Sequence, residues 1–165
     1  MKIITRIHLK AGESFMCELD ENMHLAKNLQ VYEVANREAA DEVKLEIYPK
    51  SWVLFEMFQF IRDKRGKATG VNSGYRTKAY NDSLPTASKN SLHLKLYALD
   101  IKVPYKEQPE IIEWIFLFSI KNNLVCGVNR YPTYMHIDVA EDEFGHDKFV
   151  IRDKTKDTTT YRHLK

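Results

Sequence analysis

The chain has 165 residues, with 25 Lys and Arg against 23 Asp and Glu, and its net charge of +2 comes from both signs mixed along the sequence. This length fits one domain with a core, and the balanced charge argues against a protein that neutralises a nucleic-acid backbone. No stretch approaches the roughly 20 apolar residues that span a bilayer. Residues 1–15 also lack the apolar core of a secretory signal. We therefore expect one domain over residues 1–165, synthesised in the cytoplasm, without a membrane span, nucleic acid or partner subunit.

Short alternating segments predict strands in the N-terminal third. Residues 3–9 and 15–19 flank a glycine-containing turn and predict a hairpin. Residues 31–34 and 43–47 alternate in the same way, and they predict two further strands separated by the polar segment 36–41, for which one helical turn is an equal alternative.

Two segments predict helices that face a core. Apolar residues recur at helical spacing over residues 50–65, where a basic last turn and Gly66 mark the end of the helix. A second apolar stripe runs over residues 109–122, with a proline in its first turn. The large side chains of both helices, Trp52 and Trp114 among them, are assigned to the core.

The remaining elements are short. The pattern predicts a strand at 69–73, a helix at 77–83, a loop at 85–90 and strands at 98–103, 125–128 and 134–139. Residues 152–165 are charged and rich in threonine, so we expect a tail that frays or lies on the surface. Because helices and strands are mixed and the later strands follow one another, the sequence favours an α+β fold with a small, mainly antiparallel sheet and flanking helices.

Two patches carry side chains that can bind a metal. His93 and Asp100 lie seven residues apart, and Asp100 is set in an otherwise apolar strand, where an unpaired carboxylate would be costly. In the strand at 134–139, alternation places His136 and Asp138 on one face and apolar side chains on the other. Two histidines and one aspartate would give zinc three protein ligands and leave a fourth position for water, as in catalytic sites. Water bound there becomes acidic enough to attack an amide near neutral pH.

Four motifs lie in order over roughly residues 48–139: Ser73-Gly74-Tyr75-Arg76-Thr77, Tyr80-Asn81, Ser91-x-His93-x-x-x-x-Ala98-x-Asp100 and His136-x-Asp138. Together they resemble the zinc D-Ala-D-Ala carboxypeptidase family, which also contains the L-alanyl-D-glutamate endopeptidases of phage endolysins. The resemblance implies zinc as cofactor and the small α+β fold shared with the hedgehog signalling domain. It also implies that His93, Asp100 and His136 are the zinc ligands and that Arg76 binds substrate and steadies the oxyanion.

The sequence departs from this family at two positions. The family usually has glycine three residues after the first histidine, and this chain has Leu96, so the backbone there must avoid positive φ or bear strain. Many members carry Glu or Asp as general base three residues before the second ligand histidine, where this chain has Thr133. Asp138 could replace that base, or it could hydrogen-bond to a ligand imidazole and orient it.

Less specific roles remain open for the residues around the motifs. His93 and Asp100 taken alone could be a surface histidine and a capping or paired aspartate, and Arg76 could form a salt bridge beside a helix. Ser91 and Asn81 could contact substrate or serve in turns and caps. Tyr134 is a candidate substrate contact at the rim of the cleft, and packing at a strand edge is the alternative.

The leading hypothesis is a zinc peptidase, either carboxypeptidase or endopeptidase, that hydrolyses an amide bond in peptidoglycan stem peptides. Such a protein could act on the wall after release from the cell, as phage lysins do. Thr133 and Leu96 support a second hypothesis, a zinc-binding module of the same fold with weak or absent catalysis that serves as a wall-binding or phage component. A metal-free nucleic-acid or signalling domain is the third.

Overall fold

The computed structural model describes residues 2–10, 12–35, 42–139 and 148–163. The N-terminal part forms a three-stranded sheet in which the predicted hairpin, β1 (Lys2–His8) and β2 (Ser14–Leu19), is antiparallel. A short strand pair follows, β3 (His24–Ala26) and β4 (Leu29–Gln30). The predicted strand at 43–47 is β5 (Glu42–Ile47), which pairs in parallel with β1. The polar segment 36–41 lies outside the described residues.

One predicted strand is a helix. Residues Val31–Val34 form the single turn α1 instead of an extended segment. The backbone N–H of Gln30 donates to the Glu33 carboxylate at 3.0 Å, which caps the turn. Val31 and Val34 are both fully buried, and their spacing of three residues puts them on one face of a helical turn. Over only four residues, this spacing and a strand alternation were indistinguishable in the sequence.

Both long helices are confirmed. The first, α2 (Pro49–Arg65), ends at Gly66 in the left-handed conformation, and it buries five large side chains: Leu54, Phe55, Met57, Phe58 and Ile61. Trp52 was assigned to the core but is 38% exposed, because it lies at the solvent margin and meets Phe55 only edge-on, with ring centroids 5.5 Å apart. Among the described residues, no helix has the length and apolar character of a membrane span.

The C-terminal part builds a six-stranded sheet against the core. Its elements in chain order are β6 (Val71–Ser73), α3 (Lys78–Ser83), β7 (Ala98–Ile101), α4 (Gln108–Asn122), β8 (Gly127–Arg130), β9 (Met135–Asp138), β10 (Lys148–Asp153) and β11 (Thr158–His163). The strand order is β11-β10-β8-β9-β7-β6, and every pair is antiparallel except β8 with β10. The predicted α+β fold with a mainly antiparallel sheet is confirmed.

Register within this sheet positions the candidate site. Asp100 on β7 lies directly opposite His136 on β9, and His136 lies opposite Asn129 on β8. Directly paired residues project from the same face of a sheet. Met135 and Ile137 are fully buried on the other face, as strand alternation predicts.

The segment after residue 152 lies largely on the surface, but it does not fray. It completes β10 and forms β11, which pairs antiparallel with β10, although most of its side chains are exposed. Asp153 holds this segment in place, because its carboxylate accepts hydrogen bonds from Tyr105 (2.5 Å), Arg130 (3.1 Å) and Thr155 (2.6 Å). Tyr105 and Arg130 are distant from Asp153 in the sequence, and their convergence on its carboxylate has no periodic signature.

Asp153 should make the fold sensitive to acid. Burial alone would raise the pKa of Asp153, but the hydrogen bonds from Thr155 and Tyr105 and the charge of Arg130 lower it from 3.8 to about 2. A folded-state pKa below the unfolded value stabilises the protein above about pH 4, and this stabilisation is lost as the pH falls toward 2. We expect Asp153→Asn to lower the free energy of unfolding at pH 7 by about 2 kcal/mol. Denaturant titrations of both proteins should show this difference shrinking from pH 4 to pH 2.5, and a constant difference would contradict the assignment.

Candidate metal centre

Three side chains that are distant in sequence converge beside strands β7 and β9 of the large sheet. His93 lies in the 3-10 turn Leu92–Lys95, Asp100 on β7 and His136 on β9. His93 Nε2 lies 3.2 Å from His136 Nδ1 and 3.4 Å from Asp100 Oδ1, and His136 Nδ1 lies 2.9 Å from the same Asp100 oxygen. These three atoms form a nearly equilateral triangle, which one metal ion can bridge.

The donor set and its spacing fit zinc. Zinc in proteins binds imidazole nitrogen and carboxylate oxygen at about 2.0 to 2.2 Å in tetrahedral geometry, which separates neighbouring ligand atoms by about 3.3 to 3.6 Å. The three observed separations lie close to that range, and the three residues form a group that can hold a metal ion. Three protein ligands leave the fourth position of a tetrahedron open, as in catalytic zinc sites.

Each of the three side chains is oriented by a further contact. His93 Nδ1 donates to the carbonyl oxygen of Gly74 at 2.7 Å, which leaves Nε2 as the free donor atom. Asp100 turns Oδ1 toward the imidazoles because Oδ2 accepts a hydrogen bond from Arg76 at 3.0 Å. His136 Nε2 lies 3.4 Å from Asp138 Oδ2, so Asp138 sits on the opposite edge of the ring from Nδ1.

Asp138 is enclosed by the sheet. Its side chain is nearly fully buried, and it faces Gly127 on the neighbouring strand. A Cβ at position 127 would lie only 2.7 Å from Asp138 Oδ2, so the absence of a side chain there makes room for the carboxylate. Thr133 is exposed in the turn between β8 and β9 and brings no carboxylate to the cluster.

The electrostatics of the cluster keep one carboxylate and one neutral imidazole ready to bind a cation. Burial alone would raise the pKa of Asp100, but hydrogen bonds from His136 and His93 hold it far below its ordinary value. Burial lowers the pKa of His93. Burial also disfavours the charged form of His136, yet hydrogen bonds to Asp100 and Asp138 outweigh it and raise the pKa of His136 to about 9. Metal binding at His136 therefore has to displace a proton.

The backbone at Leu96 is strained, which is one of the two outcomes expected for a leucine at this position of the motif. Its φ is +51°, in the left-handed region, and its side chain is completely buried. A non-glycine residue in this region costs about 1 to 2 kcal/mol, whereas full burial of a leucine side chain contributes about 2 to 3 kcal/mol. Burial therefore offsets the backbone cost, and the turn that carries His93 is retained without glycine.

The cluster opens into a cleft of about 490 Å³. Ser91 and Tyr134, two predicted substrate contacts, line this cleft, and so does Arg76. Tyr131 and Tyr134 stack on its rim with ring centroids 4.3 Å apart. Burial raises the pKa of Tyr134 to about 12, so its hydroxyl stays a hydrogen-bond donor at neutral pH.

Asn81, the remaining predicted substrate contact, is outside the lining of the cleft. It is buried, and its side-chain nitrogen donates to the carbonyl oxygen of Ser88 at 2.9 Å, within the loop that borders the cleft. Two lining residues, Asn129 and Lys154, were missed by the sequence analysis. Asn129 lies just after the predicted strand at 125–128, and Lys154 lies in the segment predicted as a tail.

The four histidines outside the candidate metal centre differ in their surroundings. His24 and His163 are exposed, and His146 lies outside the described residues. His8 is half-buried, because its ring stacks on Tyr48 with centroids 4.1 Å apart and Nε2 lies 2.5 Å from Glu46. No described histidine other than His93 and His136 joins a group that could hold a metal ion.

Comparison with known families agrees with the geometry. A family model described as Peptidase M15 matches residues 24–138, which include all three candidate ligands, Arg76 and Asp138. No curated protein and no solved structure gives a significant match to the chain. The family match spans well over half of the 165 residues, and it begins at β3 and ends with β9. The chain belongs to the Peptidase M15 family of zinc-dependent metallopeptidases.

Proposed function

We propose that this protein is a zinc peptidase that hydrolyses an amide bond in the stem peptides of peptidoglycan. The observation that carries the proposal is the triangle of His93 Nε2, Asp100 Oδ1 and His136 Nδ1 at the head of an open cleft. Zinc held by these atoms would make a water molecule acidic enough to attack a peptide carbonyl near neutral pH. Membership in the Peptidase M15 family supports an amide as the bond that is cut.

Arg76 has two roles in this proposal. Its Nη2 holds Asp100 and its Nε donates to Ser73 Oγ at 3.0 Å, so the guanidinium is fixed beside the cluster. It also lines the cleft, where a fixed positive charge stabilises the oxyanion that develops when the amide is attacked. Ser91 and Tyr134, each two residues before a candidate ligand histidine, offer hydroxyl groups to the peptide backbone from the lining of the cleft.

Asp138 acts in this proposal through His136. The distance of 3.4 Å to Nε2 and the burial of the carboxylate support a role in keeping the Nε2 edge protonated and Nδ1 free for the metal. A base that takes a proton from the attacking water must reach that water, which would lie on the Nδ1 side of the ring.

One observation favours a second function for the same fold. Among the described residues that line the cleft, Asp100 is the single acid, and it is already a ligand. Without a separate base, the chain would bind zinc and peptide but turn over slowly. It would then serve as a zinc-binding wall module.

Zymography on purified cell walls separates the two functions. We expect the zinc-loaded protein to clear the wall and the His93→Ala variant to leave it intact. Mass spectrometry of the released fragments would identify the bond and distinguish a carboxypeptidase from an endopeptidase. Stoichiometric zinc without clearing or released peptide would support the wall module instead.

A further inference from the structure

The C-terminal hairpin of β10 and β11 brings a basic residue to the candidate cleft. Lys154 follows directly after β10 and lines the same cleft as His93 and His136. The family match ends at residue 138, so Lys154 lies beyond the part of the chain that identifies the family. Its position is a property of this chain's own hairpin.

The backbone of Lys154 is held in place from two sides. Its N–H donates to the carbonyl oxygen of Arg130 at 3.0 Å, which continues the parallel pairing of β10 with β8. The preceding residue, Asp153, is fixed by Tyr105 and Arg130. Because Asp153 is in register with Arg130, Lys154 lies level with Tyr131 on the cleft wall. The position of its Cα is therefore fixed, while the long side chain can adjust.

The ammonium group of Lys154 forms no ion pair within the described part of the chain. No acidic side chain among residues 2–10, 12–35, 42–139 and 148–163 pairs with it. Arg76, the other lysine or arginine that lines the cleft, is bonded to Asp100 and Ser73. The described lining thus carries two cationic side chains against one carboxylate that zinc would neutralise further. Such an excess of positive charge selects an anionic ligand.

We propose that Lys154 is a specificity-determining residue that binds a carboxylate of the peptide substrate. This inference rests on the proposed function, since it assigns the charge of the peptide that enters the cleft. A stem peptide offers two carboxylates near its amide bonds, the C-terminal one and the one on the D-glutamyl residue, and an ammonium group recognises either by the same chemistry.

Steady-state kinetics on four forms of one synthetic stem peptide that ends in D-Ala-D-Ala test the proposal. In these forms the C-terminal and the D-glutamyl carboxylate are each free or amidated. For the doubly free peptide, we expect Lys154→Ala to raise KM about tenfold with kcat within about twofold, because the lost contact serves binding. Amidation of the carboxylate that Lys154 binds should erase the difference in KM between Lys154→Ala and wild type. The four peptides therefore identify which of the two carboxylates Lys154 binds.

Matched variants separate charge from structure. Lys154→Arg keeps the charge and should restore KM to within about threefold. Lys156→Ala removes a lysine from the same turn that does not line the cleft, and it should leave both constants unchanged. An unchanged KM in Lys154→Ala, or an increase that persists on all four peptides, would overturn the proposal.

The inference can fail independently of the proposed function. If wild type cleaves none of the four peptides, the peptidase proposal fails, and calorimetry on the zinc-loaded protein decides the role of Lys154. About tenfold weaker binding of the doubly free peptide by Lys154→Ala, absent when the carboxylate that Lys154 binds is amidated, would support it. Equal dissociation constants for wild type and variant would refute it.

Discussion

Replacing His93 by alanine is expected to abolish stoichiometric zinc binding and to lower kcat/KM by on the order of 10³-fold or more. The imidazole supplies Nε2, one of three atoms that lie within 3.4 Å of one another, and no other described histidine is close enough to replace it. Two remaining ligands cannot hold the ion in the open tetrahedral geometry that the chemistry requires. Elemental analysis after gel filtration and peptide hydrolysis measure the two losses.

Stability provides an independent readout of the same site. A ligand that binds only the folded state adds about 2.7 kcal/mol to the free energy of unfolding at a concentration of 100 times its dissociation constant. Zinc should therefore raise the melting temperature of wild type, and a chelator should reverse the shift. His93→Ala should show neither response. The exposed His24 supplies a matched control, since His24→Ala leaves the cluster intact and should respond to zinc as wild type does. A His93→Ala protein that still binds one zinc ion would remove His93 from the ligand set.

How much of the structure can be predicted from the sequence depends on how far apart in the sequence the contacting residues lie. Long helices were predicted to within one residue at each terminus, because α2 repeats its apolar spacing over seventeen residues and ends at a left-handed glycine. The four-residue turn α1 was read as a strand, since its two valines offer only one interval. Local periodicity thus decides long elements and leaves short ones ambiguous.

The candidate ligands were identified for a different reason. His93 and Asp100 belong to motifs whose order and spacing resemble a family, and strand alternation around His136 was visible without it. The contacts of Asp153 with Tyr105 and Arg130 and the position of Lys154 carried no comparable signal, because these partners are more than twenty residues away in the sequence. Sequence patterns therefore predicted the metal cluster but not the wall that completes the cleft.

The second large effect is expected from Gly74→Ala. Gly74 has no side chain, but its carbonyl oxygen orients the candidate ligand His93. A Cβ at this position would lie 2.4 Å from the carbonyl oxygen and 2.7 Å from the Cα of Val34. Both are backbone atoms of the buried turn α1, and Tyr75 N already donates to the same oxygen at 2.7 Å. Since no rotamer change can relieve this contact, Gly74→Ala should lower the free energy of unfolding of the metal-free protein by about 3 kcal/mol.

The same substitution should weaken zinc binding, because the carbonyl oxygen of Gly74 is the acceptor that orients His93. Displacing such an acceptor typically costs about 10- to 100-fold in metal affinity. Competition with a chromophoric chelator, well below the melting temperature of the variant, measures that loss apart from the loss of stability. Gly70→Ala is the matched control, since its Cβ would meet only the flexible side chain of Lys102, at 3.1 Å. If Gly74→Ala bound zinc with wild-type affinity, the carbonyl would not be what holds His93 in its coordinating orientation.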